Sequence, residues 1–131
     1  MELFERVMCI EDDPDIRTIL DFSLGRMGGF KLSLCESGLQ ALECVESFKP
    51  QMVLLDVMMP GMSGPETLPK LRELSVMQGV PIVFLTAKAM QDELAALLEL
   101  APTGIIVKPF DPVLLPQSIR EFWEAGRGQS S

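Results

Sequence analysis

The run Met52-Val53-Leu54-Leu55-Asp56-Val57-Met58-Met59-Pro60-Gly61 constrains the fold of this chain more than any other stretch. Four apolar residues lead into one carboxylate, and a Pro-Gly turn follows. An apolar run of this length between turn signals is the pattern of a strand buried on both faces, as in a parallel sheet. An unpaired carboxylate inside such a core is costly, so Asp56 is placed at the carboxyl end of the strand, facing solvent in a cleft. In an open α/β sheet, ligands gather at that edge. What the other segments bring to Asp56 therefore decides the function.

The same pattern recurs along the chain. Val7–Ile10 runs into Glu11-Asp12-Asp13, Pro81–Leu85 ends at Thr86, and Ile105–Val107 ends at Lys108. Leu32 and Leu34 alternate with Lys31 and Ser33, which predicts a half-buried strand at a sheet edge. Helical patterns fill the intervals. Asp13 caps the first helix, with Pro14 in its first turn and Ile16, Ile19, Leu20 and Leu24 as its buried stripe, up to Gly28-Gly29. Ser37 and Gln40 match a capping box for a second helix lined by Leu39, Leu42 and Val45. A third helix is expected over Pro65 to Leu74, with an irregular first turn because of Pro69. A fourth spans about Met90 to Leu100, with Leu94, Leu97, Leu98 and Ala101 on one side. A fifth starts near Asp111 or Pro112, is bent at Pro116, and packs through Ile119, Phe122 and Trp123.

Strand and helix alternate five times, which predicts an α/β domain with a mostly parallel sheet covered on both faces. A chain of 131 residues is one such domain. The expected domain covers residues 1–125, and the small polar residues 126–131 read as a flexible tail.

Composition then excludes several functions. No apolar run approaches the length of a membrane span, and the acidic amino end is no secretory signal. A formal net charge of -8 speaks against binding to nucleic acid or to an anionic membrane and in favour of a protein partner or a bound cation. With no histidine, a histidine-based triad and a His-ligated zinc site are both excluded. Cys9, Cys35 and Cys44 lack metal-ligand spacing and read as reduced packing residues of a cytoplasmic protein.

Placing the strand ends side by side gathers Glu11, Asp12, Asp56, the Thr86 hydroxyl and the Lys108 ammonium in one cleft. Clustered carboxylates raise one another's pKa unless a cation intervenes, and an oxygen-rich set without His or Cys favours Mg²⁺, or else Mn²⁺. Asp56 is then a candidate nucleophile forming an aspartyl-phosphate, with Lys108 pairing with the phosphoryl oxygens and Thr86 hydrogen-bonding one of them.

These residues resemble the receiver domain of bacterial two-component response regulators. The resemblance rests on Glu11-Asp12 followed by Arg17, on Leu54-Leu55-Asp56-Val57-Met58-Met59-Pro60-Gly61-Met62-Ser63-Gly64, on Thr86-Ala87, and on Lys108-Pro109-Phe110, in family order over almost the whole chain. It implies a flavodoxin-like fold, a five-stranded parallel sheet of order 2-1-3-4-5 flanked by five helices. It implies Asp56 as phosphoacceptor and a Mg²⁺ site formed by Glu11, Asp12, Asp56 and the Met58 backbone carbonyl, with Asp12 binding directly and Glu11 mainly through water. Thr86 would move toward the phosphoryl group on activation and Lys108 would contact it. The implied donor is a sensor histidine kinase or a histidine phosphotransfer protein, and the implied output is a downstream protein or a fused effector domain. Such a domain dephosphorylates itself weakly and is not a dedicated enzyme.

The chain also departs from the family pattern. Ile105 stands where members usually carry Tyr or Phe, so an inward aromatic swing is not available. Ala101-Pro102 replaces the common Gly-Ala before the last strand. These changes bear on the readout and leave a phosphorylation-independent pseudo-receiver as the alternative. A phosphohydrolase is disfavoured, because the position two residues after Asp56 is Met58 and supplies no acid or base. Arg17 is expected to be a solvated helix charge.

Overall fold

A computed structural model describes residues 2–88 and 90–129, with the backbone alone for 127–129. Five strands, β1 (Arg6–Ile10), β2 (Lys31–Cys35), β3 (Met52–Asp56), β4 (Ile82–Thr86) and β5 (Gly104–Val107), form one sheet of order β2-β1-β3-β4-β5. All four pairings are parallel. The expected order is therefore observed, with β2 at one edge.

The apolar runs are explained by burial on both faces. In β1, β3 and β4, Met8, Ile10, Val53, Leu55, Ile82 and Phe84 enter one core, and Val7, Cys9, Met52, Leu54, Val83 and Leu85 enter the other. Alternate residues of a strand point to opposite faces, so a strand covered on both sides has no polar phase. The first core is closed by α2 (Gly38–Phe48), α3 (Gly64–Arg72) and α4 (Gln91–Leu98) through Ala41, Val45, Leu68, Leu71 and Leu97. The second is closed by α1 (Pro14–Leu20) and α5 (Leu115–Gln129) through Leu20, Leu115, Ile119 and Trp123. Each such side chain contributes about 1.5–3 kcal/mol of burial.

The helices differ from expectation in several details. α1 continues as a π-helical segment, Asp21–Met27. Its contact line runs through Ile16, Leu20 and Leu24, four residues per turn, which leaves Ile19 on the exposed flank and not in the buried stripe. Asp13 does cap α1, accepting from the Asp15 N–H. Ser37 caps α2, but Gln40 returns its bond to the Glu36 N–H, one residue earlier than a full capping box requires. Leu39, in the first turn of α2, is exposed, and Ala41 and Val45 carry the contact. The first turn of α3 is regular, closed by a reciprocal Ser63–Glu66 box, and the helix stops at Arg72 with Pro69 inside it. α4 is a turn shorter than predicted. Leu97 is buried, while Leu98 and Ala101 face outward, because the helix ends before Ala101 can join its stripe. α5 begins at Leu115, after a turn in which Asp111 accepts from the N–H groups of Val113, Leu114 and Leu115. It continues through Gln129, across the first part of the predicted tail, and positions 130 and 131 lie outside the described residues.

Candidate functional site

Three strands deliver the site through their ladders. Glu11 follows β1 and extends its pairing, donating its N–H to the Cys35 carbonyl at 2.9 Å. Asp56 is the last residue of β3, opposite Leu85, and the next N–H, of Val57, bonds to the Leu85 carbonyl at 3.0 Å. Lys108 follows β5, and its N–H bonds to the Thr86 carbonyl at 2.7 Å. The polar residues thus sit one step beyond the apolar pairs, where the sheet stops being covered.

The side chains meet there. The Lys108 Nζ donates to Glu11 Oε1 at 2.6 Å and to Asp56 Oδ1 at 3.0 Å. Glu11 and Asp56 are both buried, so Asp56 does not face solvent as the sequence suggested; its charge is met by Lys108 instead of water. Burial, reinforced by the neighbouring Asp56, pushes the Glu11 carboxyl up to about 7 despite the bond from Lys108. Burial lowers the Lys108 ammonium, but its two carboxylate bonds outweigh that and hold it above its ordinary value. A buried charge is tolerable only when paired in this way.

Asp12 completes the cluster. Glu11, Asp12 and Asp56 each offer a carboxylate oxygen, and these oxygens lie within 4.8 Å of one another. An octahedral Mg²⁺ with ligands at about 2.0–2.1 Å needs neighbouring oxygens roughly 3–4 Å apart, so small side-chain adjustments suffice. The donor set is all oxygen, as that ion requires. The triad is positioned like the Mg²⁺ site of receiver domains.

Not every predicted residue converges on the cluster. Thr86 is buried, and its hydroxyl accepts from the Lys88 N–H at 3.0 Å, on the side of the following loop. Met58 lies in the loop after β3 with an exposed side chain. Asp13 serves its cap, with its own N–H donating to Glu11 Oε2 at 3.2 Å.

Two further residues shape the site. A Cβ on Gly64 would lie 2.3 Å from the Asp56 carbonyl oxygen, so the amino end of α3 packs directly on the backbone that carries Asp56. Arg17 is no solvated charge: its Nη1 donates to the Glu11 carbonyl at 2.7 Å and the Asp12 carbonyl at 3.0 Å. Its place a turn and a half after the acidic pair was the available signal. A cavity of about 980 Å³ lies at the opposite end of the sheet, lined by residues such as Arg72, Val80, Thr103 and Trp123, and takes no part in this cluster.

A 2-1-3-4-5 parallel sheet with an acidic cluster at the ends of β1 and β3 is the arrangement of phosphoacceptor receiver domains, which signal through protein interactions. The chain belongs to the response regulator receiver domain family, whose pattern it matches over residues 7–120. It is 38% identical over 116 residues to the DNA-binding response regulator MtrA of Mycolicibacterium smegmatis, covering 88% of this chain and 49% of that protein. It is 32% identical over 114 residues to the response regulator Rre1 of Synechocystis, covering 87% of this chain and 49% of the relative. The chain therefore spans about half the length of the curated relatives it matches. Among solved structures, chemotaxis protein CheY4 of Vibrio cholerae superposes with a TM-score of 0.84 at 25% identity, covering 92% of this chain and 99% of CheY4. The BeF3-activated N-terminal receiver domain of Klebsiella pneumoniae RstA gives 0.80 at 30% identity, covering 91% and 98%. No helix among the described residues is long and apolar enough to cross a membrane.

Proposed function

We propose that Asp56 accepts a phosphoryl group from a phosphohistidine of a sensor histidine kinase or a histidine phosphotransfer protein. An Asp56 carboxylate oxygen attacks phosphorus, the phosphorus–nitrogen bond breaks, and the departing imidazole takes up a proton from solvent. The observation that carries this reading is the Lys108 ammonium held between Glu11 and Asp56, a cation set against the acid that would receive the group. Lys108 pairs with the phosphoryl oxygens as they arrive. Glu11, Asp12, Asp56 and the Met58 carbonyl would hold Mg²⁺, which when bound offsets charge on the transferring group. Thr86 exchanges its bond with the Lys88 N–H for one to a phosphoryl oxygen. Met58 supplies no general base, so hydrolysis of the aspartyl-phosphate is slow self-dephosphorylation.

Residues 1–125 form the receiver unit in this reading, and it works in the cytoplasm, with its cysteines Cys9, Cys35 and Cys44 as free thiols. The output is a protein contact, made either with a separate downstream protein or with an effector region of a longer polypeptide. Ile105 packs partly buried against the core below α4 and has no ring to swing, so the signal leaves the site by another movement than the usual aromatic one.

Incubation with Mg²⁺ and acetyl phosphate, followed by intact-mass measurement, tests the chemistry. One phosphoryl mass is expected on the wild type and none on Asp56→Asn or in excess chelator. An unlabelled wild type, or equal labelling of Asp56→Asn, would overturn the assignment.

A further inference from the structure

Asp12 stands apart from the other two acids of the cluster. Glu11 and Asp56 are anchored by Lys108, and Glu11 also accepts from the Asp13 N–H. The Asp12 carboxylate is half-buried and accepts no hydrogen bond among the described residues. The backbone on which it is mounted therefore decides which of its rotamers reach the cluster.

That backbone is fixed by one nitrogen. Arg17 Nη1 carries two hydrogens and donates to the Glu11 carbonyl at 2.7 Å and to the Asp12 carbonyl at 3.0 Å. Because a peptide unit is planar, each carbonyl oxygen fixes the plane to which it belongs. These two planes flank the Asp12 Cα on either side. Holding both sets the φ and ψ of residue 12, and with them the direction of its Cα–Cβ bond. Arg17 is in turn held on α1, where its own N–H bonds to the Asp13 carbonyl at 3.0 Å.

We infer that Arg17 is a positioning residue for the cation site: it aims the Asp12 carboxylate into the cluster by locking the two peptide planes around it, and so sets the affinity for Mg²⁺ without touching the ion or the phosphoryl group. The inference rests on the reading of Glu11, Asp12 and Asp56 as a Mg²⁺ site. Released from Arg17, Asp12 spends less of its time in the binding direction, and binding loses that fraction. Once Mg²⁺ is bound it holds Asp12 itself, so the step at Asp56 proceeds as before.

The test is a Mg²⁺ titration of Arg17→Met and Arg17→Lys, followed by amide chemical shifts, beside the Mg²⁺ dependence of labelling by acetyl phosphate. Arg17→Met should weaken Mg²⁺ about fivefold or more and raise the half-saturating Mg²⁺ for labelling equally, with the rate at saturating Mg²⁺ within about twofold of wild type. Arg17→Lys, whose ammonium falls one bond short of the carbonyls, should lie in between. A purely structural role would lower the melting temperature and leave Mg²⁺ affinity unchanged. Unchanged affinity, or a fall in the saturated rate at unchanged affinity, overturns the inference. If Arg17→Met fails to fold, Arg17→Lys carries the same test, with a threefold loss expected and no loss overturning it. A wild type that binds no Mg²⁺ would instead defeat the reading of the site itself.

Discussion

The two sides of the sheet are built to different standards. β1 and β3, which carry the acids, are held by neighbours on both sides, and every residue of β3 is buried. β5, which carries Lys108, is an edge strand of four residues, none of them fully buried. The loop that feeds it is strained: Ala101 sits at φ 53°, a left-handed conformation unfavourable for a residue with a Cβ. Arg72 holds that loop from α3, donating to the carbonyls of Leu100 at 2.9 Å and Ala101 at 2.6 Å. The contrast teaches that Asp56 is mounted on a strand buried on both faces and Lys108 on a half-buried edge strand held through side-chain bonds.

The largest expected effect tests the buried side. Leu54→Ala in β3 should cost about 3 kcal/mol or more in denaturant unfolding, as for a fully buried leucine. Ile106→Ala in β5 should cost about half of that or less. Equal losses would break the distinction.

Next is the cation between the acids. Lys108→Met should slow labelling of Asp56 at saturating Mg²⁺ by about 100-fold, comparable to loss of one preorganised electrostatic contact. Labelling at the wild-type rate would show that the ammonium is only a structural pair.

Third comes pH. In the proposed Mg²⁺ site the Glu11 carboxylate serves the ion as an anion, mainly through water, and in the ion-free fold burial pushes that group up to about 7. Below that pH a proton must leave before the ion binds, so affinity falls as pH falls. Between pH 6 and pH 8 Mg²⁺ affinity should rise about tenfold, read by calorimetry, a change of about 1.4 kcal/mol. Glu11→Gln should flatten the profile.

Much of this was legible in the sequence, for a physical reason. Strands buried on both faces leave an uninterrupted apolar run, so Asp56, Glu11 and Lys108 each announce themselves by ending one. Helix faces were less legible. Ile19, Leu39 and Leu98 are apolar and in phase with a stripe, yet exposed, because the core contacts of their helices fall on the neighbouring Leu20, Ala41 and Leu97. Arg17 looked like a surface charge because its partners are backbone carbonyls, which carry no letter in the sequence. Ser63 and Glu66 form a full capping box that the neighbouring Gly64-Pro65 and Pro69 disguised.

The smallest expected effect concerns the edge-strand side. Ala101→Gly should stabilise the domain by about 0.5–1 kcal/mol by relieving the left-handed residue, less the entropy that glycine adds to the unfolded chain. A loss of stability would show that Arg72 and Pro102 hold the loop without strain.

The most direct measurement is the position of the phosphoryl group. After labelling with acetyl phosphate and Mg²⁺, borohydride reduction converts an aspartyl-phosphate into homoserine, which peptide sequencing locates. The expected result is homoserine at position 56 alone, absent when Mg²⁺ is chelated. Homoserine at position 12 or 13, or labelling indifferent to Mg²⁺, would contradict a phosphoacceptor built on β3 and served by Glu11, Asp12 and Lys108.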